Sequence, residues 1–83
     1  MRVIKFSQMD DLLEAYYLPL FQFAVRLCGS PLNAFDMTQR AFKLATDRSR
    51  ELPVPANVRA WLFSILFHDF LERRTRVHHA QAH

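Results

Sequence analysis

The side chains able to do chemistry are few, and most lie in the second half of the chain. His68 and Asp69 are neighbours, Cys28 is the single cysteine, and His78, His79 and His83 gather at the C-terminal end. On a helix, successive side chains diverge by about 100°, so His68 and Asp69 make no acid–base dyad by themselves. Cys28 can form no internal disulfide and has no second cysteine at zinc-ligand spacing; it reads as a small buried hydrophobe. The three terminal histidines lack a cysteine or carboxylate beside them and read as incidental rather than as a metal site. A single glycine excludes a glycine-rich phosphate loop, and neither a nucleophile elbow nor a His-Glu-x-x-His pattern is present. The expectation is a protein without enzyme activity, metal or cofactor. One chemical combination remains: an aromatic run, Trp61, Phe63, Phe67 and Phe70, followed by Arg73, Arg74 and Arg76. Aromatic faces stack on unpaired bases while arginines hold phosphates, which is the recipe for single-strand nucleic-acid binding. The competing reading for aromatic residues is core, and it is the expectation for Trp61, Phe63 and Phe70, because a small bundle needs large side chains.

The charge distribution supports an acidic partner for the second half. Up to Asp47 the chain has five basic and five acidic residues; from Arg48 onward it has six and three, so the whole net charge of +3 sits there. The four histidines lie in the same half, and mild acid would increase the asymmetry. With 83 residues, 51% of them hydrophobic and 23% charged, one domain is expected. No run approaches the roughly 18 apolar residues of a membrane span. Asp10, Asp11 and Glu14 interrupt any secretory signal pattern, so a cytoplasmic protein is expected.

Three helices must position these residues. Ser7 and Asp10 resemble a capping motif, with Asp10, Asp11 and Glu14 in the dipole-favoured first turn. Leu12, Leu13, Tyr16, Tyr17, Leu20, Phe21, Ala24 and Val25 then recur at helical spacing. Pro19 removes an amide donor and crowds the preceding turn, so a kink is expected, or two short helices meeting near Leu18. Gly29 ends this segment, and Ser30-Pro31 starts the next as N-cap and first helical residue. The second helix is predicted over residues 31–48. Ala34, Met37, Thr38, Ala41, Leu44 and Ala45 lie along its apolar side, flanked by Phe35 and Phe42. Asp36, Arg40, Lys43 and Asp47 form its polar stripe, where Asp36 can pair with Arg40 and Lys43 with Asp47. Residues 49–56 read as a stiff loop, because Pro53 and Pro55 bias the residues before them to extended backbone. Asn57 is the expected N-cap of a third helix running to about Arg76. That helix is apolar around most of its circumference, and its most polar stripe is Ala60, Ser64 and His68. The fold class is therefore all-α: a small bundle of three main helices, with a domain over residues 1–77 and a polar, histidine-rich tail over 78–83.

Four stretches carry a family resemblance. In order they are residues 13–27, Gly29-Ser30-Pro31, Asp36-Met37-Thr38-Gln39-Arg40-Ala41-Phe42, and Arg59-Ala60-Trp61-Leu62-Phe63-Ser64-Ile65. Together they resemble region two of bacterial sigma factors of the extracytoplasmic-function class, over about residues 10–76. The resemblance implies a helical domain that docks on the clamp helices of the RNA polymerase β′ subunit. It also implies capture of the non-template strand of the promoter minus-ten element as it opens. It carries polymerase contact over to Asp36 and Gln39 and packing to Phe42, and Arg40 and Lys43 beside them are taken as further candidate polymerase-binding residues. Arg40 stands where the family usually has a glutamate. The family's loop before Arg-Ala-Trp-Leu holds an unstacked promoter base, which here points to Arg50, Asn57 and Arg59. Downstream, Ser64, Phe67, His68, Arg73, Arg74 and Arg76 fall on the DNA-facing helix, with Phe67-His68 in place of the usual Arg-Asn. No room exists in this length for region four, the second helical domain such factors normally carry.

A second expectation belongs to a different class: a sigma-like interaction module that binds an anti-sigma factor, or itself through the third helix, without reading a promoter. A third is an unrelated helix-turn-helix reader, which would bind duplex more tightly than single strand.

Overall fold

The computed structural model describes residues 6–81 and, among their side chains, those of residue 11 and residues 14–75. Three α-helices follow one another: α1 Phe6–Cys28, α2 Pro31–Glu51 and α3 Val58–Gln81. The all-α, three-helix fold expected from the periodicity is thus observed. The helix α1 continues through Pro19 as a single element, so the chain does not break into two helices near Leu18. Because α1 starts at Phe6, Ser7 lies inside it rather than at its N-cap, and none of the acidic residues is in its first turn. The side chains of Ser7 and Asp10, on which the capping expectation rested, lie outside the described residues.

Both expected caps of the α1–α2 connection are present. Gly29 adopts a φ of 72°, the left-handed region that glycine enters without penalty, and its N–H donates to Val25 O at 2.7 Å. Ser30 is extended, its Oγ accepts from Asn33 N–H at 3.4 Å, and Pro31 follows at the first helical position. The half-buried Cys28 thiol donates to Ser30 O across this turn.

The helix α2 runs three residues past its expected end at Arg48. Ser49, Arg50 and Glu51 are therefore helical, and the loop before α3 shrinks to residues 52–57. Proline restricts its own φ and the residue before it, neither of which prevented a last turn ending two residues upstream of Pro53. Within the loop Val54 is buried between two exposed prolines. Asn57 caps α3 as expected: its Oδ1 accepts from Ala60 N–H at 3.1 Å. The helix α3 continues to Gln81, beyond the end expected near Arg76.

The core joins Leu20 and Ala24 of α1, Ala34, Met37, Ala41, Phe42 and Ala45 of α2, and Leu62, Ile65 and Leu66 of α3. Small residues on α2 let its two neighbours approach closely, and α2 packs along both. Phe42, expected at the flank, is in the core, whereas Leu44 is only partly buried and Phe35 is exposed. The helices α1 and α3 meet more lightly through Phe23, which stacks on Phe63 at 5.1 Å between centroids and reaches Phe67 at 6.4 Å. Thr38 is fully buried and donates to Ala34 O at 2.7 Å, so its hydroxyl is satisfied inside its own helix.

Candidate functional site

Two exposed surfaces on adjacent helices contain the residues singled out by chemistry. On α2, Asp36, Gln39 and Lys43 are exposed along one side. Arg40 lies on that side but turns away. Its Nε and Nη2 donate to Asp69 Oδ2 and Oδ1 on α3 at 3.1 and 3.0 Å, a bidentate fork across the helix interface. The expected Asp36–Arg40 pair is not formed: the guanidinium pairs with a largely buried carboxylate rather than an exposed one that water already solvates. Nor is a Lys43–Asp47 pair within 4.0 Å observed among the described residues.

Asp69 is a functional-looking residue that adjacency to His68 in the chain does not by itself single out. It is buried at 8% exposure, and Arg73, one turn further along α3, adds a second cation at 4.0 Å. A signal for it was present. Asp69 falls four and three residues after Ile65 and Leu66, on the apolar stripe of α3, where a carboxylate needs a cationic partner. The partner's identity, 29 residues away, was not visible. The hydrogen bond to Asp69 is the main cause pushing the Arg40 pKa above its ordinary value. Desolvation opposes it, and the charges of Asp69 and Asp36 add to it.

The second surface is the outer face of α3. Ala60, Ser64, Phe67, Leu71 and Arg74 are exposed there at successive steps of three and four. Phe67 is 39% exposed, so part of its ring faces solvent while Phe23 supports the rest. Beside it the Ser64 hydroxyl and His68 Nδ1 lie 3.2 Å apart, and both residues are exposed. His68 and Asp69 thus differ in burial, the imidazole exposed and the carboxylate buried, although they are adjacent in the chain. Arg59 lies 5.4 Å from the centre of the Phe63 ring, a cation–π contact that holds its guanidinium at the start of the helix. Phe63, Phe70 and Trp61 are partly buried against the core.

The remaining predicted residues are distributed more widely. Asn57 acts as the α3 cap, and Arg50 lies exposed in the last turn of α2. Arg73 belongs to the Asp69 cluster, while Arg74 is exposed. The side chains of Arg76, His78, His79 and His83 lie outside the described residues. Among the described residues no group of three His, Cys, Asp or Glu side chains could hold a metal ion. None of the described helices is long and apolar enough to cross a membrane.

No family model, curated protein or solved structure matches the chain.

Proposed function

We propose that this chain is a sigma region-two-like module of transcription initiation, working in the cytoplasm by binding rather than by catalysis. On this reading it docks on the clamp helices of RNA polymerase β′ through α2 and holds the non-template strand of the minus-ten element on α3. The observation that carries it is Phe67, a large aromatic ring left 39% exposed on a helix otherwise buried on the opposite side. It stands among Ser64, His68 and Arg74, polar and cationic groups that suit a nucleotide. Stacking an unpaired base on such a ring is worth about 1 to 3 kcal/mol, which is enough to favour an opened strand once the duplex begins to part. Arg50, Arg59, Arg73 and Arg74 are then the cations that hold phosphate, and Asn57 with the proline loop frames the start of the strand path.

The Arg40–Asp69 pair supports docking through α2. Arg40 stands where the resembled family has a glutamate, and its fork to Asp69 draws the guanidinium toward α3 and out of a direct ion pair with Asp36. Asp36 and Gln39 then remain available to a basic coiled coil.

Fluorescence anisotropy with minus-ten single strand and the matching duplex tests the reading. Tighter binding to single strand, weakened in Phe67→Ala and at raised salt, is the expected result. Tighter binding to duplex would favour a helix-turn-helix reader. The interaction-module reading, with an anti-sigma factor or a second copy as partner, draws on one observation: Phe67 and Leu71 together leave an apolar patch on α3. Absence of any nucleic-acid binding, with concentration-dependent association in gel filtration, would place that reading first.

A further inference from the structure

Between the second half of α2 and α3 runs a polar groove whose floor is the Arg40–Asp69 pair. Arg48 forms its α2 wall, His68, Glu72 and Arg73 its α3 wall, and it opens toward Thr75. The charges in it do not cancel. Asp69 has two arginines, Arg40 in a bidentate fork and Arg73 at 4.0 Å, so one carboxylate answers two cations. Arg48 and Glu72 balance each other in number, yet among the described residues neither has an opposite charge within 4.0 Å. The Asp69 fork occupies Nε and one N–H of Arg40, leaving its other terminal N–H groups unclaimed by Asp69. In the tautomer where Ser64 donates to His68 Nδ1, the ring carries its hydrogen on Nε2, a further donor.

We propose that this groove is a phosphate-binding site, with Arg48 as its principal ligand and Arg40 held at its base by Asp69. Guanidinium groups match phosphate oxygens in geometry as well as charge, and a pair of packed helices supplies a fixed frame for them. The phosphate is either a diester of a nucleic-acid backbone or a free phosphate; the first source rests on the function proposed above, the second does not. On the nucleic-acid path the groove lies beside Phe67 through its neighbour His68, and would fix one backbone phosphate while the ring holds a base.

The test is an NMR titration of the full chain with inorganic phosphate at constant ionic strength, following the Arg48 side chain and the His68 ring. Saturable shifts at both are expected. Arg48→Ala should weaken the affinity about fivefold, Glu72→Gln should tighten it by a similar factor, and Arg26→Ala on α1 should leave it unchanged. Shifts that never saturate, or an affinity indifferent to Arg48→Ala, would overturn the site. A single-stranded oligonucleotide that displaces the phosphate identifies the backbone as its source; saturable phosphate binding without that displacement identifies a free phosphate. Oligonucleotide binding that depends on Phe67 while phosphate fails to saturate removes the groove and leaves the proposed function standing.

Discussion

Arg40 and Asp69 show how a single pair can be decisive and one-sided. The Asp69 side chain is 9% exposed and that of Arg40 42%, so the two have unequal access to water when separated. Arg40→Leu leaves a buried carboxylate with only Arg73 nearby and should destabilise the fold by about 1 to 2 kcal/mol, a value reduced for the exposure of the guanidinium. Asp69→Leu leaves a cation that water can reach and should be close to neutral, and the double Leu variant should recover most of the loss. Urea denaturation of the three variants would measure this order, and equal costs for the two single variants would contradict it. The pKa of Arg40 is raised in the fold, so its contribution is fully present below the unfolded pKa and is lost only as pH climbs through the still higher folded value. The stability difference between wild type and Arg40→Leu should therefore show no decline attributable to Arg40 from neutral to mildly alkaline pH. The residue types at this site were legible in the chain. Their pairing was not, because local spacing offered Asp36 and only the packing of α2 on α3 offered Asp69.

At the scale of helices, the signals that held were those with a chemical mechanism of their own. Gly29, Ser30-Pro31 and Asn57 mark their boundaries by φ, by a fixed ring and by a side-chain acceptor, and each takes the place expected of it. Signals of exclusion were weaker. Prolines at 53 and 55 bounded α2 only loosely, and Pro19 left α1 in one piece. Neither helix end follows from composition alone, since terminal turns depend on what packs against them. Gly29→Ala meets no atom within 4 Å of the added Cβ, so its cost should be the backbone term alone, about 1 kcal/mol. Asn57→Ala removes the acceptor for Ala60 N–H and should cost about 1 kcal/mol as well. Thermal melts of the two would check these values, and a Gly29→Ala protein as stable as wild type would show that the turn relaxes to another conformation.

For the whole molecule, three helices enclose a core assembled from few large side chains and several alanines, and the stability to be lost is limited. A chain of this length is expected to have about 4 to 12 kcal/mol in total. Leu62 and Leu66 are almost completely buried, so Leu66→Ala should cost about 2 to 5 kcal/mol, read as a lowered urea midpoint. The periodicity of the sequence foretold which helices form and most of which faces they bury. It did not foretell that Phe42 would enter the core, stacked on Tyr17 of α1, or that Phe67 would remain half outside it against Phe23, because both depend on how the helices pack against one another. The proposed division of labour, α2 for polymerase and α3 for the strand, is tested most directly on α2. The measurement is binding of the full chain to a β′ clamp-helix fragment in moderate salt, wild type against Asp36→Lys, with helical content followed by circular dichroism. Asp36 is exposed and has no ion pair within 4.0 Å among the described residues, so its reversal should leave the fold intact. Micromolar or tighter binding by wild type, weakened at least about tenfold in Asp36→Lys, is the predicted result. No binding by wild type, or equal binding by both proteins, would contradict docking through this face.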